Sequence, residues 1–150
     1  MRAIIQRVLR GCVRVNGETI SSIERGFVVL VGITDDDTTK DAEWICRKIL
    51  GARLWADDTG KAWNMSVTQM GYEVLLVSQF TLYGYLKGNK PDFHKAMGSD
   101  RSKAFYEAFV EMVKSKYQAD KIQDGQFGAM MEVELVNDGP VTLQIDSRDK

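Results

Sequence analysis

The chain has 150 residues, of which 44% are hydrophobic, and its formal net charge is −1. That size suits one domain with an ordinary core, and the near-neutral charge argues against a broad nucleic-acid-binding surface, which usually makes a domain basic. Cys12 and Cys46 form neither a CxxC pair nor a disulfide framework, so we expect free thiols in a reducing compartment. The first residues do not resemble a signal peptide and no apolar stretch is long enough to cross a membrane, so we expect a cytoplasmic protein.

The N-terminal part of the chain predicts strands. Segments 2–9, 12–15 and 18–22 have strand character, and Asn16-Gly17 is a two-residue hairpin signal between the last two. The continuous apolar run 27–33 predicts a strand that is buried on both faces.

A helix is expected next. The acidic run 35–37 reads as a solvated turn, because its spacing is not that of a calcium loop. Thr38 and Asp41 resemble a capping box, and Gly51 should stop the helix. Between them, apolar residues recur at helical spacing: Ala42, Ile45, Cys46, Ile49 and Leu50.

The middle of the chain returns to strands. Segment 52–55 predicts a short strand, and segment 72–77 predicts a strong one with Ser78 at its C-terminal end. A long loop is expected over about 84–98, since it carries three glycines and a proline.

The last third predicts a helix and a hairpin. The helix covers about 100–117, with Ser99 as N-cap and Phe105, Ala108, Phe109 and Met112 on its apolar face. Alternating patterns over 131–136 and 141–145 predict a terminal hairpin around 137–140. Residues 1–150 are thus expected to form one compact α/β domain of mixed, mostly antiparallel β-sheets, barrel-like and covered by two amphipathic helices.

Conventional catalytic side chains are scarce. His94 is the only histidine and lies in the glycine-bearing loop, where a solvent-facing position is expected. Ser78 and Thr81 are hydroxyls at a strand end, but neither has a base nearby in sequence to activate it. We expect no metal site and no cofactor, and we expect Met130, Met131 and the three tryptophans to fill the core or an interface.

Two further features are ambiguous when taken alone. Five basic residues fall within 86–103, and they indicate either a solvated loop or contact with a few phosphates: Lys87, Lys90, Lys95, Arg101 and Lys103. Gly139-Pro140 lies at a strand junction, where glycine permits unusual dihedral angles and proline fixes its own. Only about 5–6% of X-Pro bonds in folded proteins are cis, so the dipeptide alone favours trans.

Two segments together carry a resemblance. Ser78-Gln79-Phe80-Thr81-Leu82, followed some way on by Asn137-Asp138-Gly139-Pro140-Val141-Thr142, resembles the D-aminoacyl-tRNA deacylase (D-tyrosyl-tRNA deacylase) family. The resemblance covers nearly the whole chain, about 1–146, and includes segments 5–8, 88–93 and 127–131. Lys90 departs from the pattern, where arginine is expected, and a lysine loses bidentate phosphate contact.

The resemblance implies a function. It implies hydrolysis of the ester between a D-amino acid, or glycine, and the 3′-terminal adenosine of tRNA. It also implies a homodimer in which the Gly139-Pro140 bond is cis and this dipeptide projects into the partner's site. Lys87, Lys90 and Lys95 are then candidate tRNA contacts.

The scarcity of bases shapes the expected mechanism. The Phe80 N–H is the candidate oxyanion donor, and Ser78 and Gln79 are candidates for orienting the adenosine or water. The resemblance implies that the 2′-OH of the terminal adenosine takes part. We favour this RNA-assisted hydrolysis over a Thr81 acyl intermediate, because no base to activate Thr81 is visible in the sequence. Carbonyl oxygens of Gly139 and Pro140 are expected to hold the amino group and reject L side chains. A non-catalytic module that binds the tRNA 3′ end, and a purely structural dimer, are the alternatives.

Overall fold

The computed structural model describes residues 1–149 and contains, over that range, ten strands and three α-helices. The strands are β1 (Arg2–Val15), β2 (Glu18–Ile23), β3 (Gly26–Gly32), β4 (Arg53–Trp55), β5 (Met65–Ser66), β6 (Glu73–Ser78), β7 (Tyr85–Lys87), β8 (Lys90–Asp92), β9 (Ile122–Asp124) and β10 (Glu132–Asp146). The helices are α1 (Thr39–Gly51), α2 (Val67–Met70) and α3 (Ser99–Lys116).

The main sheet is mixed. Its strand order is β10-β1-β3-β6-β9, and β2 also pairs with β1. β1 runs antiparallel to β10, β2 and β3, whereas β3, β6 and β9 run parallel to one another. The sheet curls into a barrel-like form, and two long helices cover it, so the predicted fold class is confirmed. No helix within residues 1–149 is long and apolar enough to cross a membrane.

β3 and β6 are buried on both faces. Phe27 and Val29 pack into the larger core, which also contains residues of α1 and α3. Val28 and Leu75 point the other way into a smaller cluster. This arrangement confirms the prediction from the continuous apolar run, and burial of each such side chain stabilises the fold by about 1.5–3 kcal/mol.

α1 forms where the sequence predicts it. The Thr38 N–H donates to Asp41 Oδ2 at 2.9 Å, as a capping box requires, and the helix ends at Gly51. Its buried side chains are those of the predicted apolar face: Ala42, Ile45, Cys46, Ile49 and Leu50.

α3 differs from its prediction in two respects. Gly98 is the N-cap and Ser99 is already helical. Ala108 is exposed, although it was expected on the apolar face, and Phe105 and Met112 are only half-buried. The buried side chains are Ser102, Tyr106, Phe109, Val110 and Val113. The apolar side chains among them pack into the larger core, and the Tyr106 hydroxyl donates to the Leu76 carbonyl at 3.0 Å, which joins the helix to β6.

Three predictions of strand layout are wrong. Segments 2–9 and 12–15 form one strand, β1, and the predicted loop over 84–98 contains the β7–β8 pair. The predicted terminal hairpin is a single strand, β10, which pairs with β1 almost throughout. Asn137 pairs with Val8 and Thr142 pairs with Gln6, so residues 138–141 of β10 have no partner in the β1 register. Because Pro140 has no N–H for the ladder, the chain bulges out here and continues in the same direction.

The acidic turn before α1 is not wholly solvated, contrary to expectation. Asp37 is buried, and its carboxylate lies 2.6 Å from the Met1 ammonium and 3.0 Å from the Arg148 guanidinium. The Ser147 hydroxyl donates to Asp41 at 2.8 Å, so the same ion network also reaches the start of α1. These contacts join the first strand, α1 and the segment after β10.

We expect Asp41 in this network to contribute to the acid stability of the fold. Burial disfavours the Asp41 carboxylate, but hydrogen bonds from Thr38 and Ser147 and the charge of Arg148 outweigh that effect and lower the pKa of Asp41 to about 2. A lowered folded-state pKa contributes stability that is complete above the unfolded value, about 3.9, and is lost as the pH falls towards 2. Urea unfolding of Asp41→Asn should therefore show less loss of stability between about pH 4 and pH 2 than the wild type shows. Asp58→Asn, at an exposed turn position, should follow the wild-type curve, and identical curves for all three proteins would contradict this account.

Candidate active site

The segment after β6 leaves the sheet in a tight turn. Ser78 is the last residue of β6 and pairs with Val31 of β3. The Gln79 N–H donates to the Val31 carbonyl at 2.7 Å, and Phe80–Tyr83 then form one 3-10 turn. Strand pairing thus holds this segment, called here the Ser78–Tyr83 turn, against the end of β3.

Gly32 provides the space for this turn. A Cβ atom at Gly32 would lie 2.8 Å from Leu82 Cβ and 3.2 Å from the Gln79 carbonyl oxygen. Contacts that short force neighbouring atoms apart, so a larger residue at this position would displace the turn. Sequence reasoning did not assign Gly32 a role, because its function is to have no side chain.

A cavity of about 670 Å³ opens beside the turn, and we call it the first cavity. Ser78, Gln79 and Phe80 form one side of it, and the rest is lined mainly by segment 127–133 and the start of α3. Volumes of this size suit a small ligand or the end of a larger one. The Phe80 N–H makes no hydrogen bond to another residue within 1–149, so it is available to an oxygen atom of such a ligand.

Within residues 1–149, the Thr81 hydroxyl makes no hydrogen bond to a general base. The Gln79 amide donates to Thr81 Oγ1 at 2.5 Å, so Thr81 accepts a hydrogen bond from an amide. His94 is exposed, as predicted, and its Nδ1 lies 2.7 Å from Asp92 Oδ1. Among the described residues, Thr81 and His94 therefore do not form a nucleophile–base pair.

The Gly139–Pro140 dipeptide lies at the top of the β10 bulge. Its peptide bond is cis, and Gly139 has a φ of +125°, a value that favours glycine. A Cβ atom at Gly139 would lie 2.7 Å from Val141 Cγ2 and 3.0 Å from the Val141 nitrogen. The geometry of the bulge therefore requires glycine here.

Neighbouring side chains hold the bulge in place. Asn137 Oδ1 accepts from the Val141 N–H at 2.9 Å, and Asn137 Nδ2 donates to Thr142 Oγ1 at 2.9 Å. From β1, the Arg7 guanidinium donates to the Asp138 carbonyl at 3.3 Å and to the Leu54 carbonyl. Arg7 was not predicted as a site residue, since one arginine within a strand carries no distinctive sequence signal.

The two motifs do not meet within one chain. Gly139 and Pro140 line a second cavity, of about 380 Å³, together with Arg7, Leu54 and Trp63. The Ser78–Tyr83 turn lines the first cavity. Trp63 and Met130, which were expected in the core or an interface, are 59% and 92% exposed and line the second and first cavities respectively, so neither is a core residue of this chain.

The predicted basic residues lie on either side of Phe93 in the chain, and Phe93 lines the first cavity. Lys87 and Lys90 belong to β7 and β8, and Lys95 follows shortly after, with its ammonium 4.9 Å from the Tyr85 ring centre. All three lysines are exposed. We call β7, β8 and their turn the basic hairpin, residues 85–92. Its carboxylate, Asp92, lies 2.9 Å from the Lys87 ammonium.

Comparison with known proteins gives consistent results. Residues 4–146 match the sequence profile of the family described as D-Tyr-tRNA(Tyr) deacylase. The chain is 56% identical over its whole length, and that of the relative, to a D-aminoacyl-tRNA deacylase of Dictyostelium discoideum. It is 50% identical to D-aminoacyl-tRNA deacylase 1 of Homo sapiens, with 98% of this chain and 70% of that protein covered.

Two solved structures have the same fold. One, titled c-Myc DNA Unwinding Element Binding Protein, superposes with a TM-score of 0.94 at 50% identity and covers 97% of this chain and 98% of its own. The other, titled as a structural analysis of a probable eukaryotic D-amino acid tRNA deacylase, superposes with a TM-score of 0.82 at 18% identity and equal coverage. The second similarity supports the fold alone.

Proposed function

Because the chain belongs to the D-Tyr-tRNA(Tyr) deacylase family, we propose that it hydrolyses the ester between a D-amino acid and the 3′-terminal adenosine of tRNA. The observation that carries this proposal is the Ser78–Tyr83 turn, in which Phe80 lines the first cavity and its N–H makes no hydrogen bond to another residue within 1–149. A cavity of about 670 Å³ is large enough for a nucleoside with an attached amino acid. Water supplies the hydroxyl group, and the bond between the ester carbonyl carbon and the 3′-oxygen breaks.

The protein stabilises charge instead of supplying a nucleophile. The Phe80 N–H binds the oxyanion that develops on the ester carbonyl oxygen, and Ser78 and Gln79 orient the adenosine or the water. The 2′-OH of the terminal adenosine is adjacent to the leaving 3′-oxygen. This hydroxyl of the RNA assists the hydrolysis. Thr81 forms no acyl intermediate in this mechanism, because its hydroxyl accepts a hydrogen bond from Gln79 and has no base beside it.

Chirality is checked by main-chain atoms. Gly139 has no side chain and Pro140 has no N–H, so the pair offers two carbonyl oxygens on a surface of little bulk. These oxygens hold the α-amino group and leave no room for an L side chain. Glycine also passes this check, since it has no side chain to clash. Selection at the α-carbon suits an enzyme that accepts many amino acids, because apolar pockets separate side chains by only about 1–3 kcal/mol per methylene.

The complete site is built from two chains. Within one chain the two motifs line different cavities, so selection and hydrolysis meet only if Gly139–Pro140 of one protomer enters the first cavity of its partner. A homodimer with two-fold symmetry forms two such sites. Lys87, Lys90 and Lys95 of the basic hairpin region contact tRNA phosphates near the acceptor end. The enzyme works in the cytoplasm, where translation consumes aminoacyl-tRNA.

The direct test compares the two enantiomers of one substrate. The protein should release free tyrosine from D-Tyr-tRNA and leave L-Tyr-tRNA intact over the same period, because only the L side chain meets the Gly139–Pro140 carbonyls. The assay measures the acid-precipitable aminoacyl-tRNA that remains, and chiral chromatography identifies the enantiomer of the tyrosine released. Tight binding of both tRNAs without release would favour a non-catalytic module for the tRNA 3′ end.

Phe80 variants test the oxyanion donor. Phe80→Pro removes the backbone N–H and should lower kcat by about 10²–10³-fold, the usual effect of losing one such donor. Phe80→Tyr keeps both the N–H and the ring and should retain most activity.

Thr81→Ala should also retain most activity, whereas D-Tyr-tRNA that ends in 2′-deoxyadenosine should resist the wild-type enzyme. A trapped Thr81 ester, or full turnover of the deoxy substrate, would contradict the mechanism.

Mixed dimers test the two-chain site. Phe80→Pro disables the hydrolytic half, and Gly139→Val disables the selecting half by placing a branched side chain where even a Cβ does not fit. Each variant alone should have little activity beside the wild type. After unfolding and refolding together in equal amounts, half of the dimers are mixed and each has one intact site, so about a quarter of wild-type activity should return. No recovery from a mixture that light scattering shows to be dimeric, at twice the 16.9 kDa of one chain, would place both motifs of a site in the same protomer.

A further inference from the structure

We propose that Phe93 is a positioning residue that couples the basic hairpin to the Phe80 N–H, so that tRNA phosphates bound by the hairpin increase the rate of hydrolysis in the first cavity. This role rests on the proposed function, because it concerns the same oxyanion donor. Phe93 directly follows the hairpin, and its side chain has no polar group. Its effect on the hydrolysis rate is exerted through Phe80.

The first step is the contact between the two rings. Phe80 and Phe93 pack edge to face, with ring centres 5.0 Å apart and an interplanar angle of 71°. Both side chains remain exposed, Phe80 at 57% and Phe93 at 37%, and both line the first cavity. A ring that is more than half exposed has few other contacts to orient it, so the position of Phe93 strongly influences that of Phe80.

The second step ties Phe93 to the chain that enters the hairpin. A Cβ atom at Gly84 would lie 2.8 Å and 2.9 Å from two carbons of the Phe93 ring and 3.0 Å from the Thr81 carbonyl oxygen. The Gly84 backbone therefore lies directly against the ring. The Gly84 N–H also donates to the Thr81 carbonyl at 2.9 Å. The hairpin begins at this contact and returns to it at Phe93, so a displacement of the hairpin moves the ring and the turn together.

The third step connects the lysine ammonium groups with the end of the hairpin that adjoins Phe93. Asp92, next to Phe93, accepts from the Lys87 ammonium at 2.9 Å and from the His94 N–H at 3.0 Å. Its side chain is only 9% exposed, in contrast to the 65% exposure of the Lys87 side chain. A phosphate that binds Lys87 therefore weakens the ion pair between Lys87 and Asp92. Because Asp92 precedes Phe93 and accepts from the His94 N–H, this change reaches the backbone on both sides of Phe93.

The size of the hairpin makes this coupling sensitive to ligand. β7 and β8 have three residues each, and a two-stranded hairpin of this length is marginally stable by itself. In this proposal, phosphate contact at the lysines favours the arrangement of the hairpin that binds phosphate best, as a ligand favours the conformation for which it has the higher affinity. In the favoured arrangement, the Phe93 ring holds the Ser78–Tyr83 turn in the position in which the Phe80 N–H can bind the oxyanion.

The test compares a substrate with phosphates and one without. D-Tyr-tRNA engages both the hairpin and the cavity, whereas 3′-O-D-tyrosyl-adenosine has no phosphate for the hairpin. For the wild type, kcat should be higher with the tRNA. Phe93→Leu keeps an apolar side chain but removes the ring, and it should lower kcat on D-Tyr-tRNA roughly three- to tenfold, the rate equivalent of one aromatic pair, with KM changed by less than about twofold. Because Phe93 also lines the first cavity, its kcat on the adenosine ester should fall less than its kcat on D-Tyr-tRNA, so the ratio of the two kcat values should fall relative to the wild type.

Control variants separate coupling from a general structural effect. Phe93→Tyr restores the ring and should restore the rate with tRNA, while Ile20→Ala, at an exposed apolar position on β2 outside the hairpin, should leave both rates unchanged. An equal fall on both substrates in Phe93→Leu would show a structural role without coupling and overturn the proposal. Equal wild-type kcat values on the two substrates would also overturn it while leaving the proposed function intact. Absence of any wild-type hydrolysis of D-Tyr-tRNA would overturn the proposed function and this role with it.

Discussion

The parallel pairing of β3 with β6 is the interaction on which the site depends. Each strand is buried on both faces, so a slip of one residue would move every apolar side chain to the opposite core. The pairing ends at Val31↔Ser78, directly before Gly32. Because no Cβ stands at Gly32, the chain can fold back at once over the strand end, and Phe80 reaches the edge of the first cavity. A buried register thus sets the position of a backbone donor at the surface.

Main-chain atoms dominate the chemistry that this position allows. The candidate donor is an N–H group, and the candidate selecting groups are two carbonyls at the β10 bulge. Side chains serve them indirectly: Asn137 spans the bulge, Arg7 anchors it to β1, and Gln79 engages the Thr81 hydroxyl. Backbone groups held by strand pairing need little reorganisation during a reaction, which is the condition for strong electrostatic stabilisation of a transition state. This explains how a chain with a single, exposed histidine can still offer a plausible hydrolytic site.

The same pairing rules separate the two motifs. β10 is an edge strand of the main sheet, and it bulges where Pro140 cannot donate to β1. The bulge therefore faces outward, beside a cavity of its own, and not towards the Ser78–Tyr83 turn of its own chain. In the proposed function, a site that uses both motifs lies between two protomers. That proposal would also give the exposed cavity-lining side chains Met130 and Trp63 a partner surface to cover them.

Local patterns in the sequence determined much of this protein. The continuous apolar run produced a strand buried on both faces, and the capping residues and helical spacing produced α1, because each of these signals depends on residues close together in the chain. The two motifs identified the family although they lie far apart in sequence, because each is a short contiguous segment that can be recognised without the fold. Tertiary structure alone decided the rest. The apolar face of α3 shifted to the row that docks on β6 through Tyr106, and β10 continued past Gly139–Pro140 because β1 was present to pair with it on both sides. The space at Gly32 and the anchoring by Arg7 were likewise invisible in sequence, since both depend on neighbours that are distant along the chain and close only after folding.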